Sequence, residues 1–322
     1  MVRDGQYILK ILDLARLAPS SHNTQPWKVS VDKNKAIIGY EPQRHLTVGD
    51  PDMRELFISL GCFIQTASYA AQSLGYKMTT LFIGEGPEGV AELLFAKASK
   101  PQPELADAIR NRRSDRRKFL NEPIPKEEMD HLKKLISGTA KLEIFTSEED
   151  VSFLSDMTRQ ATLAAMRRGE FREELAGWVR HNWTKRSDGM PAYVQGIPGP
   201  VSLVAKSIIK KNPKVADSQA KKDAKSIFGS SAVALITLGD QTPRTWLDAG
   251  RLFQKLCLEA RLMGISSAAF SAAVMDGKTV SAVMDKLGLK DQPVALLRLG
   301  YAKNLPRSTP RRPLKDFLAA TS

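Results

Sequence analysis

At 322 residues the chain is long enough for a substantial core, as one large domain or two of ordinary size. A net charge of +13 favours an anionic partner: nucleic acid, a phosphate-bearing cofactor or a membrane surface. Cys62 and Cys257 both fall in long helix-like segments and form neither a disulfide framework nor a metal-ligand cluster, and the four scattered histidines exclude HExxH zinc hydrolases and GxSxG serine hydrolases. Chemistry is therefore expected from a bound cofactor or not at all, with no metal.

The opening run MVRDGQYILKILDLAR breaks its apolar positions with Asp4, Lys10, Asp13 and Arg16, so it suits neither a signal peptide nor a membrane span. A cytoplasmic location is the expectation. Residues 5–18 set Ile8, Ile11, Leu12, Ala15 and Ala18 on one helical face, with Asp4 available as a cap. WKVSV and AIIGY predict a hairpin around Asp32, Lys33 and Asn34, with Trp27 as a core anchor. A long apolar helix follows from Pro51 to Gly75, then a strand KMTTLFIG, a second strand over 90–97, and a break at PQP, residues 101–103.

Beyond the break come a helix running into NRRSDRRKF, a helix KEEMDHLKKLI and a strand KLEIFT. Residues 148 to about 212 form helices interrupted by the loop chemistry of DGMP and GIPGP and read as an insertion. The remaining elements are a strand SAVALITLG, a helix RTWLDAGRLFQKLCLEARLMG, a loop SSAAFSAAV, a helix over 278–288, a strand VALLRLGYA and a C-terminal helix from Pro313. Basic residues cluster at Arg110–Lys118, Lys206–Lys225 and Arg307–Arg312; the Lys-rich cluster reads as solvated surface.

One segment repeats. GCFIQTASYAAQSLG (61–75) aligns without gaps on GRLFQKLCLEARLMG (250–264), pairing Gly61 with Gly250, Gln65 with Gln254 and Gly75 with Gly264. Small residues at the paired position allow close helix packing, so the two copies are expected to meet at a pseudo-twofold centre. The order of elements indicates an α+β protein of two similar halves sharing one core, joined near residue 102.

Two stretches carry candidate chemistry. Between Pro19 and Pro26, SSHNTQ offers backbone and side-chain donors and acceptors suited to a planar heteroaromatic ligand or a polyol, or alternatively an ordinary turn satisfying its own backbone. In RRSDR, an extended backbone would place Arg112, Ser114 and Arg116 on one face and Arg113, Asp115 and Arg117 on the other, a set that can converge on a phosphate. A solvated basic run and a nucleic-acid patch are the other readings, the latter without aromatic interleaving.

In combination these stretches resemble the FMN-dependent nitroreductase family. ARLAPSSHNTQPW is similar to its APS-x-x-N-x-QPW segment, RRSDR to its Arg-x-Ser-x-Arg/Lys flavin-phosphate motif, and ALLRLGYA with PRRPL to its closing strand and arginine segment. Ordinary members place the Arg-Ser motif before APSxxNxQPW and form intertwined homodimers. Here the motif follows, which resembles the single-chain branch with two fused halves in a pseudo-dimer. The resemblance implies halves 1–102 and 103–322, with a lid-like insertion at about 180–225, and one FMN between them.

On that resemblance Ser20, Ser21, Asn23 and Gln25 would face the ring and ribityl chain, while Arg112, Ser114 and Arg116, helped by Arg307 or Arg311, would hold the phosphate. Ala269, Phe270 and Ser271 would run past the flavin edge, although SAAFS departs from the Gly-rich and Glu-Gly versions in the family. The implied activity passes reducing equivalents from NADH or NADPH through FMN to a nitroaromatic or quinone-like acceptor, with no catalytic side chain because the flavin carries the chemistry. The alternative is a storage or sequestration protein holding FMN beneath its lid. Neither a nucleic-acid nor a membrane partner is expected.

Overall fold

A computed structural model describes residues 6–98 and 100–319. Helix α1 (Gln6–Ala15) buries Ile8, Ile11, Leu12 and Ala15, as the apolar spacing requires; its expected cap, Asp4, lies outside the described residues. Strands β1 (Trp27–Asp32) and β2 (Lys35–Tyr40) form the hairpin, turning through Lys33 at φ 49°. Trp27 is fully buried, with its ring 4.9 Å from that of Phe63. Helix α2 (Arg54–Ser73) leads into β3 (Tyr76–Gly86) and β4 (Gly89–Lys97), completing an antiparallel sheet of order β1-β2-β4-β3.

The rest of the chain builds a second sheet. Helices α3 (Pro103–Asn111) and α4 (Lys126–Lys133) precede β5 (Lys141–Phe145), and α5 (Glu148–Arg167) and α6 (Gly169–Trp178) follow it. The short strands β6 (Val179–Arg180) and β7 (Met190–Pro191) pair in parallel, and α7 (Gly199–Lys211) and α8 (Val215–Phe228) come next. Strand β8 (Ala232–Leu238), helix α9 (Pro243–Leu262), strand β9 (Ser266–Ala269), helix α10 (Gly277–Leu287) and strand β10 (Gln292–Gly300) complete the regular elements. The second sheet is antiparallel with order β5-β8-β10-β9, giving an α+β architecture.

Helices α2 and α9 cross where the repeat aligns them. A methyl group added at Gly61 would lie 2.2 Å from Leu247 O, and one at Gly250 would lie 2.0 Å from Ile58 O. Only glycine permits this approach. The Cys62 Sγ–H donates to Gly250 O at 3.3 Å, and Gln254 Nε2 donates to Thr66 Oγ1 at 3.0 Å within the contact. Both copies end alike, with Gly75 at φ 81° and Gly264 at φ 79°. One apolar cluster runs continuously from α1 and the first sheet through α2 and α9 to β8 and β10.

Two expected elements differ. Residues 266–269, read as loop, pair with β10 as a buried strand, because long-range backbone hydrogen bonds stabilise small side chains there that show no apolar alternation. The C-terminal helix expected from Pro313 is a single 3₁₀ turn, Leu314–Asp316. Its backbone instead joins β1: Val29 N–H donates to Phe317 O at 2.8 Å and Ala319 N–H to Val29 O at 2.7 Å, while Phe317 buries its ring against Phe63. No helix among the described residues is long and apolar enough to cross a membrane.

Because the obstructing atoms at the crossing are backbone, Gly61→Ala and Gly250→Ala are each expected to lower stability by about 3 kcal/mol in chemical denaturation. Gly177→Ala in α6, where an added methyl meets nothing within 4 Å, is the control. It should be neutral or gain up to about 1 kcal/mol from helix propensity. Equal effects at all three positions would contradict the close crossing.

Candidate functional site

The loop between α1 and β1, the RRSDR segment, the end of β9 and the C-terminal arginine segment together line one cavity of about 1430 Å³. Of the expected residues, Ser20, Ser21, Asn23, Arg112, Ser114, Arg116, Ala269, Phe270, Ser271, Arg307 and Arg311 are on its wall. Gln25 is not. It is fully buried outside the cavity, where Nε2 donates to Ser187 O at 2.8 Å and Oε1 accepts from Arg312 N–H at 2.8 Å.

The loop is held in an unusual shape. His22, Asn23 and Gln25 all have left-handed φ values, 49°, 56° and 51°, a conformation that non-glycine residues adopt only when their surroundings impose it. Ser20 Oγ accepts from Gln25 N–H at 2.9 Å, the local turn chemistry expected of such a segment. Asn23 N–H and Thr24 N–H add local turns to Ser20 O and Ser21 O, and further bonds are long-range. Asn23 Nδ2 donates to Gly189 O at 2.8 Å and to Pro310 O at 3.1 Å, and Asn23 Oδ1 accepts from Arg311 at 3.0 Å. Ser21 Oγ donates to Glu55 Oε2 at 2.5 Å in the first turn of α2, and Ser21 N–H donates to Ser59 Oγ at 3.3 Å.

The phosphate candidates differ in their partners. Arg112 and Arg311 both donate to the carbonyl of Leu17, at 3.3 and 3.4 Å, and the Nε atom of each is buried without a partner. Among the described residues neither forms an ion pair with a carboxylate. Burial lowers the pKa of Arg112; burial, then Arg112 and Arg16, pushes Arg311 down to about 9. Arg311 Nη1 also donates to Asn23 Oδ1 and to Thr309 and Pro310, so both guanidiniums are met by neutral acceptors alone, a charge that an anion between them would compensate.

Arg116 is occupied differently from expectation. Its guanidinium lies 4.6 Å from the Phe270 ring centroid, donates to Ala269 O at 3.0 Å and stands 3.9 Å from Asp223 on α8. The face alternation expected over RRSDR also fails in part: Arg113 lines the cavity beside Arg112, with a buried, unpartnered Nε. Arg112 caps helix α3 with extended backbone, and Asp115 and Arg117 from the other expected face also reach the cavity wall. Asp115 is fully buried, with its carboxylate bound to Arg117 at 2.7 Å and its N–H donating to Ser267 O at 2.9 Å. Arg307 stacks over Tyr193, 4.3 Å from the ring centroid.

The segment between α6 and α7 lines this cavity and is tied to the rest of its wall. Gly189 N–H donates to Asn23 O at 3.1 Å, Arg44 bridges to Asp188 at 3.3 Å and the Tyr193 hydroxyl donates to Ser308 O at 2.7 Å. The sequence reading missed Glu55, whose Oε1 is buried without a partner on the cavity wall, and His22, whose Nδ1 is in the same condition. Neither belongs to a recognisable spacing pattern. Asp50 accepts from the N–H groups of Glu55 and Leu56 at 2.8 and 2.9 Å, while burial, followed by the charge of Glu55, pushes its carboxyl up to about 8.

Burial, followed by the nearby Arg116 charge, lowers the His22 pKa from 6.5 to about 4. Between those values the unfolded chain binds a proton that the native state refuses, so the contribution of His22 to stability is full above 6.5 and falls as the pH drops towards 4. His22→Asn, which tolerates the left-handed backbone, is expected to flatten that decline by up to one proton in ligand-free denaturation curves. Parallel curves for the two proteins across the window would contradict it.

Residues 109–301 match the family model described as "Nitroreductase family". The chain is 27% identical over 330 residues to Rv3131 of Mycobacterium tuberculosis strain H37Rv, an alignment covering 98% of this chain and 92% of that protein. It is 26% identical over 351 residues to PigM of Serratia sp., covering 100% and 96%. Both relatives carry provisional names as NAD(P)H nitroreductases. Among solved structures, the FMN-dependent nitroreductase NfnB from Mycobacterium smegmatis in complex with NADPH aligns with 68% of this chain and 99% of that chain, at 16% identity and a TM-score of 0.43. With the family model spanning more than half of its length, the chain belongs to the nitroreductase family.

Proposed function

We propose that the cavity binds FMN between two fused nitroreductase-like halves, residues 1–102 and 103–322, and that the protein reduces a small nitroaromatic or quinone-like acceptor with NADH or NADPH as donor. The observation carrying the reading is the buried pair Arg112 and Arg311, which has unused donors and no carboxylate partner among the described residues. A phosphomonoester answers both, since each guanidinium fork matches phosphate oxygens and the dianion compensates two positive charges. Arg113 and Ser114 add donors on the same wall.

The remaining wall suits a ring and a polyol chain. Ser20 and Ser21 contribute hydroxyls, Ala269, Phe270 and Ser271 contribute backbone, and Ile58, Cys62 and Phe253 supply an apolar surface. Asn23 orients Arg311, and Arg116 ties β9 to α8, so both act as positioning residues; Gln25 holds the loop to the inserted region from outside the cavity. When bound, FMN supplies the acceptance and return of a hydride. A cavity of about 1430 Å³ exceeds the range of roughly 300–1000 Å³ usual for a single small ligand, which leaves room for donor or acceptor beside the flavin.

Storage of FMN beneath the inserted region is the second reading, favoured by the ties from Gly189, Asp188 and Tyr193 that hold this cover in place. The provisional reductase names of the relatives favour turnover. Anaerobic addition of NADPH or NADH to the FMN-loaded protein distinguishes the two: loss of the oxidised flavin's visible absorbance is expected, and an unchanged spectrum with both donors would leave storage. Arg112→Gln is expected to weaken FMN binding by roughly 10- to 150-fold, corresponding to about 1.5–3 kcal/mol for one charge-assisted contact. Unchanged affinity in a titration of the folded variant would overturn the phosphate assignment.

A further inference from the structure

A further buried guanidinium on the cavity wall meets no carboxylate, and it stands apart from Arg112 and Arg311. Arg54 opens α2 and is 6% exposed. Its Nη2 donates to Val274 O at 3.0 Å and its Nε is buried without a partner. Among the described residues its side chain has no other hydrogen bond and no carboxylate at ion-pair distance. The proposed phosphate site does not use this group. Arg112 lies close enough to Cys62 for its charge to act on that thiol, and Cys62 is two turns further along α2 than Arg54, a rise of about 12 Å.

Holding the helix does not account for Arg54. The first N–H groups of α2 are already met by acids: Arg54 N–H donates to Asp52 Oδ1 at 3.4 Å, and Asp50 accepts from Glu55 and Leu56. Two further carboxylates on the wall are turned to other partners. Glu55 accepts from Ser21, and Asp276 caps α10 by accepting from the N–H groups of Lys278 and Thr279 at 3.0 and 3.2 Å. Over the whole wall, basic side chains outnumber acidic ones. A buried guanidinium with unused donors in such surroundings favours an oxyanion, which its planar fork can grip through two N–H groups.

The position of Arg54 says which ligand carries that oxyanion. Val274 ends the 3₁₀ turn Ser271–Val274, which continues from Ala269 and Phe270, the backbone given above to the flavin ring. Arg54 is therefore tied to the ring side of the cavity. Ile58, one turn along α2, and Met275, beside Val274, give this part of the wall an apolar surface suited to an aromatic ring.

We infer that Arg54 is a second anion site in the cavity and that it selects a reducible aromatic acceptor bearing a carboxylate. This rests on the proposed reading of the cavity as a flavin site and names the class of acceptor taken by the space beside the flavin. The carboxylate compensates the buried Arg54 charge and anchors one end of the acceptor without occupying the phosphate site.

Calorimetric titration of the oxidised, FMN-loaded protein with para-nitrobenzoate and with the neutral para-nitrobenzamide tests this without any electron donor. The wild-type protein is expected to bind the acid at least about tenfold more tightly, as one charge-assisted contact provides. Arg54→Gln should erase that preference and leave the affinities for FMN and the amide unchanged, while Arg54→Lys, which keeps the charge, should retain part of it. Equal wild-type affinity for acid and amide would overturn the inference, as would a preference that survives Arg54→Gln. So would an Arg54→Gln variant that loses affinity for NADPH and not for the acid, since the oxyanion would then be the donor's phosphate. In ligand-free protein carrying Arg112→Gln the same Arg54-dependent preference is expected. Failure of FMN to bind would thus overturn the proposed function and leave this test of Arg54 standing.

Discussion

The crossing of α2 and α9 at Gly61 and Gly250 sets the distances on which the rest of the molecule depends. With backbone against backbone there, the first turns of α2 carry Glu55, Ile58 and Ser59 to the cavity, and α9 carries Phe253. The SSHN loop then rests on α2 through Ser21, and β9, which follows α9, supplies the backbone of Ala269 and Phe270. Segments separated by nearly three hundred residues of chain meet because two helices could approach as closely as glycine allows.

Charge is the second constraint. Much of the +13 excess is ordinary solvated surface, including the exposed lysines of α7 and α8. Arg298 illustrates a guanidinium buried for structure: it donates to Ser226 O at 2.8 Å and Arg117 O at 2.7 Å, lies 3.5 Å from the Phe119 ring centroid and has Asp115 nearby as a compensating charge. Arg112 and Arg311 lack such compensation, and each has further arginines as neighbours. In the proposed reading this pair is preorganised for an anion.

Much of the fold was legible from residue patterns. The helix over α1, the hairpin at Lys33, the long helices and the strands β8 and β10 follow from periodicity and turn chemistry, and the glycine pair in the repeat located the crossing. Strand β9 was not legible, because Ser266–Ala269 carries no strand alternation and is held by partners more than twenty residues away. The C-terminal segment also defeated local reasoning: its tertiary bonds to Val29 outweigh its helical pattern. Most residues of the sequence motifs share one cavity wall, but local patterns do not foretell every side chain. Gln25 turns away through its own left-handed backbone, and Arg116 is drawn to Asp223 on a helix whose placement no local pattern encodes.

In the proposed reading, Arg112 and Arg311 form an anion site for the phosphate of a flavin. Calorimetric titration of the ligand-free protein with FMN and with riboflavin, which has the same ring and ribityl chain but no phosphate, tests it most directly. FMN is expected to bind at least about a hundredfold more tightly, since two charge-assisted contacts are lost with the phosphate. Equal affinity for the two flavins, or no binding of either, would contradict the account.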